Sequence, residues 1–298
     1  MVVGVGGAGL CRTDLHIIEG QWAEKSNVAL SYTLGHENAG WVHAVGSAVE
    51  HVQPGDAVIL HPLVTSGFCR ACRAGDDMHC EAGAFPGIDA DGGLADLIRT
   101  SARSVVTLAP GIEPAVPLLY PGSTCVVMGA GGLGHIGIQC LRAMSATRIV
   151  VLDPNQDALA LTGDWGADET VLVDGMRVER VVELTDGKGA EVVVDFVGER
   201  GAERDSWAMT HRAGSDFVIG DGGTVDIATI DVISTERNVV GNLVGSYNDL
   251  VERMALNAAG RVHHVTQTYP LDAVNDAMDD LDAGRRRGRG ILVPTAAG

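Results

Sequence analysis

The tightest constraint on this chain is a run of six residues, Gly-Ala-Gly-Gly-Leu-Gly at 129–134, lying between the strand-like TCVVM and the helix-like HIGIQCLRAM. That spacing alone is common in glycine-rich turns. Its weight comes from Asp153, which closes the next apolar run, RIVVLD, nineteen residues beyond Gly134. A turn without side chains at Gly129 and Gly131 lets a pyrophosphate approach the N-terminus of the following helix, where unpaired N–H groups and the helix dipole attract anions. Gly132 and Leu133 belong to the same cofactor-binding turn, and Gly134 lets helix and strand pack closely. A carboxylate at Asp153 would accept hydrogen bonds from ribose hydroxyls and repel a 2′-phosphate, which favours NAD over NADP. The alternative is a glycine-rich turn in some other parallel α/β protein.

The surrounding rhythm agrees with a nucleotide fold. From Ser123 the apolar runs TCVVMG, TRIVVLD, ETVLVD, EVVVDFVG, DFVIG and NVVGNLVG alternate with helical stretches near Gly134 to Met144, Gln156 to Thr162 and Val178 to Thr185. Near-continuous Val/Ile runs between helices describe an α/β fold, a doubly wound parallel sheet covered on both faces. The helix from Gln156 is expected to end early, because Gly163 costs a helix interior about 1 kcal/mol. Up to about residue 112 the chain reads instead as short strands and loops, among them GWVHAVGS, GDAVILHP and ADLIRTS. After Arg261, VTQTYP and a polar helix over Leu271 to Ala283 read as a return to the first domain. The expected boundaries are 1–117, 118–262 and 263–298.

Charge and hydropathy exclude several classes. Acidic residues number 39 against 21 basic ones, a net charge of −18, which argues against a nucleic-acid partner. Lys25 and Lys188 are the only lysines, and so acidic a surface would suit a halophilic cytoplasm, where salt screens its self-repulsion. The start of the chain does not read as a secretory leader, so a cytoplasmic address is expected. Pro114 to Leu141 carries no charged residue, yet its glycines mark a buried strand, turn and helix rather than a membrane span.

Cys11, Thr13, Asp14 and His16 crowd one short motif, and His36 and Glu37 another. Thiolate, imidazole and carboxylate at Cys11, His36 and Glu37 suit a tetrahedral zinc with one open position, which binds an alcohol oxygen and lowers its pKa. Zinc cannot take a hydride, so such a site and the dinucleotide turn imply each other. Taken alone, a cysteine and distant histidines are more often core or surface residues. Cys69, Cys72 and Cys80 form a second cluster, which in a cytosolic chain favours metal or core roles over disulfides.

Together, GLCRTDLH, GHENAGWVHAVGSAV, PGDAVILHP, the cysteine cluster, GAGGLGHIGIQ and the late GRGILVP resemble the zinc-containing medium-chain dehydrogenase/reductase family, in its alcohol dehydrogenase branch. The resemblance implies a Rossmann domain beside a mostly β, GroES-like catalytic domain, with zinc and NAD as cofactors. It implies a small alcohol or carbonyl substrate and a homo-oligomer. By it, Cys11 and His36 are catalytic zinc ligands, and Glu37 is a nearby carboxylate that ligates in the sorbitol-dehydrogenase-like branch. Thr13 would take the alcohol proton and His16 would release it to water. Asp14 would orient the His36 ring, and Arg289 would grip the cofactor phosphates, while Arg285 to Arg287 form a solvated patch. The rival readings are a degenerate NAD-binding member without turnover and a zinc-free quinone reductase.

Three departures from the family pattern shape further expectations. Met1 begins close to the Cys11 motif, so either the chain is truncated or mis-started, or the first domain lacks part of its sheet and exposes an edge. Ser66 stands where the first of four structural-zinc cysteines belongs, which leaves Cys69, Cys72 and Cys80 as an incomplete site, expected to be emptied or weakened, with a substitute ligand such as Asp76 or His79 the alternative. Between the first domain and the GxGxxG strand, the segment that carries a third catalytic ligand in relatives is expected to be missing.

Overall fold

The valine runs settle into a sheet in which alternate residues of one strand enter different cores. In this computed structural model, which describes residues 1–21, 31–107 and 122–294, the chain forms two compact units. Unit 1 comprises Met1–Ile112, Val244–Ala258 and Thr266–Gly298, and unit 2 comprises Glu113–Leu243 and Ala259–Val265. Val244–Ala258, inside the span 118–262 expected for the nucleotide half, thus groups with the first unit.

Unit 1 is built on a seven-stranded sheet. Its strands are β1 (Val2–Gly9), β2 (Glu37–Ala44), β3 (Ala57–Leu60), β4 (Leu97–Arg99) and β5 (Val105–Thr107), joined by the late strands β12 (Thr266–Pro270) and β13 (Arg289–Val293). The order is β12-β13-β1-β2-β3-β5, with β4 also paired to β1. The expected exposed edge does not fall on β1. That strand bonds β2 along one side, and β4 and β13 share the other. Val3, Val42, Val58, Ile98 and Val105 form the core beneath it. A short helix, Arg12–Ile18, follows β1 directly.

Unit 2 carries six parallel strands in the order β11-β10-β9-β6-β7-β8. These are β6 (Thr124–Met128), β7 (Arg148–Asp153), β8 (Glu169–Leu172), β9 (Ala190–Asp195), β10 (Thr210–Val218) and β11 (Asn238–Gly241). All five residues of β6 are buried. Val126 and Met128 pack into one core while Cys125 and Val127 pack into another, as a sheet covered on both faces requires. The helix Gly134–Met144 follows the glycine turn as its periodicity predicts.

The helix from Gln156 does not end at Thr162. It runs through Gly163 to Trp165 and stops at Gly166, which adopts a left-handed conformation with φ of 106°. Thr162 is fully buried and Trp165 packs on the second core. Arg142 also bonds the Gly166 carbonyl through Nε at 2.9 Å. Tertiary packing therefore outweighs the glycine's propensity cost. Among the described residues, no helix is long and apolar enough to cross a membrane.

Candidate metal centre and nucleotide turn

The antiparallel register of β1 and β2 sets Gly9 opposite Glu37. Two residues past Gly9 the chain leaves the sheet at Cys11, the N-cap of the Arg12–Ile18 helix, and His36 immediately precedes β2. Cys11 Sγ, a His36 ring nitrogen and a Glu37 carboxylate oxygen consequently lie within 4.8 Å of one another. Glycine at position 9 leaves room for this carboxylate, because a Cβ there would stand 2.4 Å from Glu37 Oε2 and push it from its place.

Asp14 supports this trio from behind. It is fully buried, accepts a hydrogen bond from the Cys11 backbone N–H through Oδ2 at 2.9 Å, and holds Oδ1 3.4 Å from His36 Nδ1. Those last two atoms have no other partner, so the Nδ1 side of the ring belongs to Asp14 and Nε2 is left for the cluster. Burial pushes the Cys11 thiol up, but its hydrogen bond with His36 and the charges of His36 and Arg289 bring it below its ordinary value. Burial also disfavours a charged His36, yet Asp14 and Cys11 raise its pKa well above the usual histidine range. A divalent cation in place of the imidazolium proton would meet a thiolate, an imidazole and a carboxylate, a donor set that fits zinc.

The remaining expected residues fall around this trio. Thr13 Oγ1 lies 3.6 Å from Cys11 Sγ. His16, in the last turn of the same helix, is only 1% exposed, so direct release of a proton from it to water needs an opening. Arg289 lies beside Glu37, with Nη2 3.1 Å from Oε1 and Nη1 bonded to the Leu10 carbonyl at 2.9 Å. The solvated reading of Arg285 to Arg287 fails at Arg286, whose Nε and Nη1 are buried without hydrogen-bond partners. Burial and the Arg289 charge lower its pKa. Its alternation with exposed neighbours gave no signal of this in the sequence. Residues 108–121, where the third family ligand was expected to be missing, lie outside the described residues.

Cys69, Cys72 and Cys80 also gather into one group. Cys69 Sγ and Cys72 Sγ are 3.5 Å apart. Ser66 supplies the fourth corner, with Oγ 3.4 Å from Cys80 Sγ and 3.9 Å from Cys72 Sγ. Hydrogen bonds from the Ser66 hydroxyl and backbone N–H hold Cys80 down to about 6. Neither Asp76 nor His79 joins the group among the described residues. Three thiolates suit a zinc ion, but a neutral hydroxyl is a poor fourth ligand, so the closed four-thiolate arrangement does not form.

In unit 2 the glycine turn has the shape that a pyrophosphate needs. Gly129 has a φ of 92°, and nothing lies within 4 Å of where a Gly131 side chain would project. A Cβ on Gly134 would stand 1.8 Å from the Gly129 carbonyl oxygen. Gly132 is half-buried and Leu133 is exposed at the mouth of the turn. Asp153 ties the turn to its strand, accepting from Ala130 N at 2.8 Å and Asn155 N at 2.7 Å. Burial raises its pKa despite these two bonds. Each oxygen keeps a lone pair for a ribose hydroxyl, so turn, helix terminus and acid fit a dinucleotide.

Comparison with known proteins agrees with this fold. Residues 1–110 match the family described as alcohol dehydrogenase GroES-like domain, and residues 132–259 match zinc-binding dehydrogenase. An NAD-dependent alcohol dehydrogenase of Sulfurisphaera tokodaii is 30% identical over 320 residues, spanning 99% of this chain and 92% of that protein. A D-arabinose 1-dehydrogenase (NADP(+)) of Saccharolobus solfataricus is also 30% identical, over 99% of this chain and 90% of its own length. Among solved structures, the alcohol dehydrogenase of Aeropyrum pernix superposes with a TM-score of 0.93 at 40% identity, covering 98% of this chain and 92% of its own. The halophilic expectation drawn from charge finds no support in these relatives.

Proposed function

The chain belongs to the zinc-containing medium-chain alcohol dehydrogenase family, and we propose that Cys11, His36 and Glu37 form its catalytic metal site for oxidising a small alcohol to an aldehyde or ketone with NAD. The observation that carries this reading is the convergence of the three donors within 4.8 Å, backed by the buried Asp14 carboxylate. When bound, zinc supplies Lewis acidity to an alcohol hydroxyl and NAD supplies the hydride acceptor.

The chain's own residues do the rest. Cys11, His36 and Glu37 hold the ion, and Asp14 fixes the tautomer and angle of the His36 ring. Thr13, next to Cys11, is positioned to accept the proton that the substrate hydroxyl loses. The turn at Gly129, Gly131, Gly132, Leu133 and Gly134 receives the cofactor pyrophosphate, and Asp153 holds the adenosine ribose. Arg289 pairs with Glu37 in this structure, and its second assignment is to a cofactor phosphate.

The test is zinc content beside alcohol-dependent NADH formation in the wild type and in Glu37→Gln. Glutamine keeps an acceptor for Arg289 but removes the anionic ligand. Loss of zinc together with turnover supports the carboxylate as ligand. Zinc content and turnover both unchanged from the wild type would mean that Glu37 serves Arg289 alone. For the cofactor, Asp153→Ser should relax discrimination against NADP, and an unchanged NAD preference would remove Asp153 from that role.

A further inference from the structure

The cysteine lobe departs from a sealed four-thiolate metal site at one position, where the Ser66 hydroxyl faces Cys72 and Cys80. Cys69 Sγ and Cys72 Sγ are 3.5 Å apart, in a Cys-x-x-Cys sequence that starts a five-residue helix. Closing that gap to a disulfide bond of about 2.0 Å needs side-chain rotation rather than movement of a packed element. No residue of that helix is buried, so no core resists the change. Cys80 is held separately. It accepts from the Ser66 backbone N–H at 3.3 Å and meets the Ser66 hydroxyl at 3.4 Å. Cys72 also lines a cavity of about 340 Å³, shared with His51, Thr65, Asp77, Arg103 and Tyr247.

From this geometry we infer that Cys69 and Cys72 form a reversible disulfide switch that competes with metal for the same sulfurs, with a low-molecular-weight disulfide as the oxidant. A fourth thiolate would enclose a zinc ion and shield all the sulfurs, whereas three thiolates and the Ser66 hydroxyl leave one coordination position weakly filled. One of the two cysteine thiolates attacks one sulfur of the reagent R–S–S–R, the S–S bond breaks, and one thiolate RS⁻ leaves. The thiolate of the other cysteine then attacks the cysteine sulfur of the mixed disulfide and expels the second RS⁻. The two cysteines are oxidised by two electrons, the reagent is reduced to two thiols, and the two cysteine protons pass to them. Cys80 remains reduced throughout.

The experiment incubates the full-length protein in oxidised and reduced glutathione mixtures, with and without saturating zinc, then alkylates and digests it with trypsin. Cleavage after Arg70 and Arg73 puts Cys69 and Cys72 on different peptides, so their disulfide appears as a linked pair. The expected result is that linked pair with Cys80 alkylated, formed at least tenfold more slowly when zinc is present. Ser66→Cys should restore a fourth thiolate and suppress the linkage by a similar factor in zinc. Circular dichroism of each sample confirms that folded protein is being compared. Cys80 in the disulfide, all three thiols still reduced in the most oxidising mixture, or equal rates with and without zinc would each overturn the inference.

Discussion

Replacing Asp14 tests how far the metal site depends on a residue that need not touch the metal. Its Oδ1 lies 3.4 Å from His36 Nδ1, and its Oδ2 accepts from the Cys11 N–H at 2.9 Å, so one carboxylate steadies two of the three proposed ligands. Asp14→Asn keeps the shape and an acceptor for the N–H but removes the charge beside the ring. Changes to carboxylates that support a ligating histidine typically weaken metal binding about 10- to 100-fold, or roughly 1.4–2.7 kcal/mol. Asp14→Ala also removes a helix N-terminal hydrogen bond and should cost a further 1 kcal/mol or so of stability. Competition with a chromophoric zinc chelator measures the first effect, and thermal unfolding of the metal-free proteins measures the second. Zinc binding should weaken in both variants, and the alanine variant should be the less stable of the two. Wild-type zinc affinity in Asp14→Asn would refute the ring-orienting role outright.

Other substitutions probe the second unit. Gly134→Ala places a Cβ against the Gly129 carbonyl oxygen, so NADH binding followed by fluorescence should weaken at least about tenfold, while Gly163→Ala, with open space around it, should raise stability by about 1 kcal/mol. Asp216 gives a pH signature. Burial, with the Asp195 charge adding to it against the Ser206 hydrogen bond, raises its pKa to about 6, so the folded state holds this proton more tightly than the unfolded chain does. Its charge is therefore unfavourable above about pH 6, and the penalty fades as the pH falls towards 4. Asp216→Asn should gain up to about 3 kcal/mol at pH 7 and progressively less at lower pH. Unfolding midpoints of the two proteins that stay parallel from pH 7 to 4.5 would contradict this assignment.

The parts of the molecule written in local pattern were legible in the sequence. The strand, glycine turn and helix through Met144 depend on neighbouring residues and on Asp153 one strand later, so periodicity and spacing sufficed. That Cys11, His36 and Glu37 gather was suggested by residue type and by the family resemblance alone, since the pairing of β1 with β2 that brings them together left no local mark. What escaped depended on distant partners. Helix continuation through Gly163 rests on Trp165 packing and on Arg142, and the central place of β1 rests on β13, from the far end of the chain. Arg286 was misjudged for the same reason: in a run of three arginines, composition suggests solvent, and only the fold reveals which one turns inward. The ion pair of Arg289 with Glu37 likewise joins residues that no local pattern relates.

The ladder between β1 and β2 has a consequence for how this protein reaches its native state. Side chains alternate along strands, so a slip of one residue in that ladder would turn Glu37 away from Cys11 and scatter the donors. Only correctly paired chains can then capture the ion tightly, and capture deepens their free-energy well in proportion to the logarithm of free metal. Metal supply during refolding should thus act as a proofreader of strand alignment.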